Sequence, residues 1–245
     1  MEGLHESLSG SSSAKEQDER QMVSLSAAKC EQFRKLQNSA LKKELYTGRC
    51  VEPCFEDYQL IGDSLLLRFS EQLLFYKCKT DEYNGARALG LCVSGQTVGE
   101  LLRRVVSEMY LISKKVILLI GTNDMLRETK MDLMKRKLRR VVKELTLRTE
   151  KIIVLTLPPV PRLSHKPDHW QRLDDYNTCI KGREKYRNVV VADITSLFLI
   201  GPQRCRTDCY ELFYSGTRRP DRVHLNRAGL QKIHSFLLQK QLLND

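Results

Sequence analysis

The chain has 245 residues, 41% of them apolar and 7% aromatic, with a formal net charge of +11. This length suits one substantial α/β domain or two small ones, and the apolar fraction supports a real core. No apolar run approaches the roughly 20 residues that a membrane-spanning helix needs.

The opening residues, Met1-Glu2-Gly3-Leu4-His5-Glu6, lack the basic and apolar regions of a signal peptide. The eight cysteines (Cys30, Cys50, Cys54, Cys78, Cys92, Cys179, Cys205 and Cys209) are therefore expected as reduced thiols in a cytoplasmic or nuclear setting. Residues 1–21 hold five acidic against two basic side chains, a balance of −3, which leaves +14 on the rest of the chain. Such a surface attracts polyanions, nucleic acid or acidic membrane, at least non-specifically.

Residues 1–21 are rich in Ser and poor in large apolar side chains, and read as a disordered acidic tail. Residues 22–56 are expected to supply an N-terminal helix, over 22–46, and a linker. Met22, Leu25, Phe33, Leu36 and Leu45 fall on one side of that helix, which is expected to pack on the domain. From 57 to 245, strand and helix signals alternate. Tyr58–Ile61 reads as a strand ending at Gly62, and Ser64–Tyr76 has helical spacing. Leu89–Val93 reads as a second strand, with a helix over Thr97–Tyr110. The apolar, β-branched run Lys115–Ile120 is a third strand, followed by a helix over Lys130–Arg148. Lys151–Leu157 is a fourth strand, stopped by Pro158-Pro159. A helix over His169–Glu184, the strand Val189–Asp193 and a helix over Arg227–Gln241 complete the pattern.

Val-, Ile- and Leu-rich strands alternating with amphipathic helices predict a parallel sheet of about five strands covered on both faces. In such sheets, functional loops gather at the carboxyl ends of the strands. Ser64, Gly95 and Asn123 each stand just beyond a predicted strand end, in Ile61-Gly62-Asp63-Ser64, Ser94-Gly95 and Gly121-Thr122-Asn123-Asp124. Asp221 and His224 stand three residues apart near the C-terminus. Any one fragment is an ordinary turn sequence. Together they contain what acyl transfer from an ester requires. Ser64 is the candidate nucleophile at a helix N-terminus, His224 the proton shuttle and Asp221 the group that fixes its tautomer. The N–H groups of Ser64 and Gly95 and the Asn123 amide are candidate oxyanion donors. Asp63 is expected to bond backbone amides around the nucleophile loop.

These four blocks resemble those of the SGNH (GDSL-type) hydrolases, over about residues 57–243, and no defining residue of the blocks is missing. The resemblance implies a flavodoxin-like three-layer αβα sandwich and a serine esterase. It would cleave an ester or acetyl group on a lipid, carbohydrate or small molecule through an acyl-enzyme, without metal or cofactor. The chain is also similar, through Leu155-Thr156-Leu157-Pro158-Pro159-Val160 and Leu173-Asp174-Asp175-Tyr176-Asn177, to the C-terminal domain of the insect germ-plasm protein Oskar. That likeness implies the alternative: a catalytically silent SGNH-like module that binds RNA through a basic surface. The present chain departs from that domain in keeping a complete catalytic set.

Two basic clusters are candidate anion or nucleic-acid contacts. One lies along the helix over Lys130–Arg148 and includes Arg136, Arg139 and Arg140. The other comprises Arg204, Arg206, Arg218, Arg219 and Arg222, beside the Asp221–His224 loop. Cys50-x3-Cys54 and Cys205-x3-Cys209 lack the tighter spacing of structural zinc knuckles, so no metal is expected. Cys78, Cys92 and Cys179 read as small core residues. His165 and His169 read as surface residues, and Trp170 as either a core anchor or a lip of the acyl pocket.

Overall fold

The computed structural model describes residues 51–80, 85–107 and 109–239. The expected acidic tail (1–21), the helix over 22–46, Cys30 and Cys50 lie outside these. In chain order the elements are β1 (Cys54–Phe55), β2 (Tyr58–Gly62), α1 (Ser64–Gln72), β3 (Lys79–Thr80), β4 (Arg87–Leu89), β5 (Cys92–Val93) and α2 (Val98–Val106). They continue with β6 (Lys115–Leu119), α3 (Thr122–Leu126), α4 (Met131–Thr146), β7 (Lys151–Leu155) and α5 (His169–Lys181). Last come β8 (Val189–Ala192), β9 (Leu199–Gly201), β10 (Arg204–Cys205) and α6 (Arg227–Gln239).

The main sheet runs β3-β4-β5-β2-β6-β7-β8, with β1 antiparallel on β2. Its parallel centre is β5-β2-β6-β7-β8. This is the flavodoxin-like order, and its switch point lies between β2 and β6. The central strands are apolar nearly throughout because both faces are covered. Phe69 of α1 and His234 of α6 have ring centroids 6.2 Å apart, so these two helices share one face. On the other face α2 packs on α4, and α4 on α5. Gln59, buried within β2, partners both ends of its amide: it donates to Leu111 O at 3.1 Å and accepts from Ser113 N at 2.8 Å.

The order and the starts of the expected elements follow the periodicity. Several ends fall short of it (α1 stops at Gln72 and not Tyr76, α2 at Val106 and not Tyr110), and one strand needs correction. Leu89–Val93 is not one strand. Gly90 adopts φ +55°, and the chain reverses so that Leu89 pairs antiparallel with Cys92. An unbroken apolar run cannot reveal a hairpin whose only marker is one glycine. α2 begins with a capping box: the Thr97 side chain accepts from Glu100 N at 3.3 Å, and the Glu100 carboxylate accepts from Thr97 N at 2.7 Å.

His169 is a second correction. It is buried, not exposed, and its Nε2 accepts from Val160 N at 3.4 Å. Burial pushes its pKa down to about 4. Asp63, also fully buried, is pushed up by burial to about 6 despite hydrogen bonds that favour its charge. The two oppose each other in acid. Asp63 contributes stability present below its unfolded value of 3.8 and lost as pH rises through about 6. His169 contributes stability present above 6.5 and lost as pH falls through about 4. Each is worth roughly 3 kcal/mol, so together they leave little slope. Urea melts at neutral pH and about pH 4.5 are expected to show Asp63→Asn losing more stability on acidification than wild type, and His169→Gln gaining.

Candidate active site

The β2–α1 turn is built around Asp63. Its Oδ1 accepts from Leu65 N at 3.0 Å, capping α1, and its Oδ2 accepts from Thr122 N at 3.3 Å. One carboxylate thus joins the loops after β2 and β6, on the two sides of the switch point. Gly62 permits this approach: a Cβ there would lie 2.1 Å from the Leu119 carbonyl oxygen. Ser64 opens α1 and is 4% exposed.

His224 Nε2 lies 3.1 Å from Ser64 Oγ, across 160 residues of sequence. Its Nδ1 lies 2.9 and 2.8 Å from the two oxygens of Asp221, which is fully buried. Between the pair, Arg222 takes φ +52°, and the chain folds back so that Val223 N and His224 N both donate to Asp221 Oδ1 at 3.1 Å. Burial alone would raise the Asp221 pKa; the His224 ring and these two amides outweigh it and hold the carboxyl below its usual value. The ionised carboxylate accepts from Nδ1–H, which leaves the Nε2 lone pair toward the Ser64 hydroxyl.

Gly95 takes φ +76°, with open space where a Cβ would point. Its loop is held from both sides. Arg127 donates to Gly95 O at 3.1 Å, and Asn123 Nδ2 donates to Gln96 O at 3.0 Å. An amide has two N–H donors, so Asn123 keeps one beyond this bond. Gln96, itself buried, donates to Gly62 O at 2.8 Å and Leu91 O at 3.1 Å. Asp124 accepts from Val98 N at 2.8 Å, which anchors α3 to the start of α2. The loops after β2, β5 and β6 are therefore cross-linked by buried polar groups.

Arg68 belongs to none of the sequence blocks that carry the candidate site. One turn beyond Ser64 on α1, its guanidinium lies 3.7 Å from Asp221 Oδ2 and 3.4 Å from Glu211 Oε1. The i, i+4 spacing from Ser64 was the available signal, since it puts both residues on one helix face. The arginines divide by location. Arg136, Arg139 and Arg140 are exposed along α4, with Arg140 4.0 Å from Glu144. Arg204 is exposed on β10, whereas Arg206 is half-buried with its Nε enclosed and unpartnered. Arg218, Arg219 and Arg222 are exposed on the segment leading into His224. Trp170 is half-buried and lines a cavity of about 450 Å³ with Leu173, Asn177, Lys181 and Asp193; none of the candidate catalytic residues lines it. Among the described residues, no group of three or more His, Cys, Asp or Glu side chains is placed to hold a metal ion, and no helix is long and apolar enough to cross a membrane.

Strand order and helix layers define the fold of the SGNH (GDSL-type) hydrolases. The structure aligns with a GDSL-like lipase from Bacteroides thetaiotaomicron at TM-score 0.54 and 17% identity, covering 74% of this chain and 85% of that one. It aligns with the OSK domain of Drosophila Oskar at TM-score 0.66 and 21% identity, covering 77% of this chain and 90% of that one. At these identities the structural likeness establishes the fold alone. The OSK domain family model matches residues 42–242, and the chain belongs to that family. Among curated proteins it is similar to the maternal effect protein oskar of Drosophila virilis, 26% identical over 180 residues. The match takes in 72% of this chain, which spans 30% of that protein's length.

Proposed function

We propose that the protein is a serine acyl hydrolase of SGNH type, with Ser64 as nucleophile. The observation that carries this reading is the continuous hydrogen-bonded line from Asp221 through His224 to Ser64 Oγ at 3.1 Å. Ser64 Oγ attacks an ester carbonyl while its proton passes to His224 Nε2. The carbonyl oxygen gains negative charge and takes hydrogen bonds from Ser64 N–H, Gly95 N–H and the Asn123 amide. His224 then protonates the leaving alcohol, and an acyl group remains on Ser64. Water activated by the same ring releases the acid. The substrate is an ester or acetyl group on a lipid, carbohydrate or small molecule.

The test is labelling by a fluorophosphonate probe together with hydrolysis of a short-chain p-nitrophenyl ester. Wild type is expected to do both and Ser64→Ala neither. Equal rates in the two proteins, or a wild type inert to the probe, would remove the proposal. A second reading, RNA binding by the basic surface, is favoured by the exposed row Arg136, Arg139 and Arg140 on α4. It does not use Ser64, so Ser64→Ala separates the two: labelling disappears and any RNA affinity stays.

A further inference from the structure

Residues 211–224 fold into a two-stranded arm rising from the candidate triad. Glu211 N donates to His224 O at 2.8 Å and Arg222 N to Glu211 O at 2.9 Å, which forms the base. Asp221 N donates to Leu212 O and Tyr214 N to Arg219 O, both at 3.0 Å, and Phe213 bridges Pro220. Such pairing would let the arm bury apolar residues, yet Leu212 is 59% and Phe213 53% exposed. Two large apolar side chains adjacent in sequence and both open to solvent make this arm a candidate contact surface.

The charge around them has one sign. From Leu212 to Pro220 the sequence contains no acidic residue, and Arg218, Arg219 and Arg222 are all exposed. The neighbouring acids are engaged elsewhere: Glu211 faces Arg68, and Asp221 is buried against His224. Arg162 adds a fourth exposed cation, bonded through its N–H to Arg222 O at 3.0 Å and 3.4 Å from the Tyr214 hydroxyl. We propose that this arm docks on an anionic phospholipid surface, with Leu212 and Phe213 entering the acyl boundary and the four arginines meeting the headgroups.

Exposed apolar side chains on an arm that also exposes cations match an interface that is apolar below and anionic above. Single-stranded RNA would instead require several free aromatic faces on which successive bases stack, and this arm exposes one such ring, Phe213. The Tyr214 ring is occupied, with Arg219 over its face at 5.6 Å and the His224 ring against it at 5.9 Å. The exposed Leu212 offers a base no stacking surface. Docking goes beyond the hydrolase reading and stands whether or not Ser64 reacts; if Ser64 does react, the arm holds a surface ester near Ser64.

The test is co-sedimentation of the full chain with vesicles of phosphatidylcholine alone or mixed with phosphatidylserine. Wild type is expected to favour the mixed vesicles and to lose them as salt rises. Each cation at an anionic surface is worth roughly fivefold in partition, so Arg218→Ser/Arg219→Ser is expected to weaken binding roughly 25-fold. Leu212→Ser/Phe213→Ser is expected to weaken it on both vesicle types. Ser64→Ala is expected to bind as wild type does, which separates docking from catalysis. Circular dichroism checks that each variant is folded. Phe213→Trp, which keeps the apolar ring, is expected to shift its emission to shorter wavelength on mixed vesicles. Wild-type partition unchanged by both double substitutions would overturn the proposal. So would single-stranded RNA binding that depends on Arg218 and Arg219 without any vesicle binding.

Discussion

Asp221→Asn is expected to lower ester turnover by on the order of 10⁴-fold while the protein stays folded. An asparagine oxygen can keep the two 3.1 Å bonds that Val223 N and His224 N now donate to Asp221 Oδ1. The NH₂ group then faces His224 Nδ1, where a carboxylate oxygen stands at 2.8 Å. It can only donate there, so Nδ1 becomes the acceptor and the ring proton moves to Nε2. Nε2–H points at Ser64 Oγ and can no longer take its proton. Turnover and the fluorophosphonate labelling rate of Ser64 should fall together. If both persist at wild-type levels, the Asp221–His224–Ser64 line is a structural network and not a catalytic one.

Gly62→Ala is expected to cost about 3 kcal/mol or more. Its Cβ would stand 2.1 Å from Leu119 O. That atom belongs to the backbone of β6, whose register with β2 also pairs Gln59 with Val116 and Ile61 with Leu118. Nothing flexible can yield, so the central pair of strands must part. A thermal midpoint lower by roughly 6–12 °C checks the expectation. Gly95→Ala provides the contrast. It meets open space and bears only the strain of φ +76°, on the order of 1–2 kcal/mol.

Both glycines were visible in the sequence as turn residues, and only their surroundings separate a steric requirement from a conformational one. The same holds for the histidines. His165 and His169 flank Pro167 in similar polar company, yet the first is exposed and the second is folded under Val160. Helical spacing at α5 shows that a face is buried, not that its first residue lies beneath the preceding loop. Arg68 reads as solvated in the sequence, because it stands on an amphipathic helix that also carries Glu71 and Gln72. Its carboxylate neighbours, Glu211 and Asp221, arrive from a segment far along the chain, the first of them 143 residues away.

The sequence by itself determined the alternation of strands and helices and the turns that carry Ser64, Gly95 and Asn123. Those features rest on local periodicity and backbone chemistry, which act over a few residues. It also marked Asp221 and His224 as a pair, because three residues span one turn. Only the tertiary structure decided that His224 meets Ser64, that Arg68 stands behind Asp221 and that residues 211–224 form an arm with an apolar, cationic surface. These contacts depend on strand order at the β2–β6 switch point and on sheet register. Both are set by packing of the whole core and leave no periodic trace in the residues that they bring together.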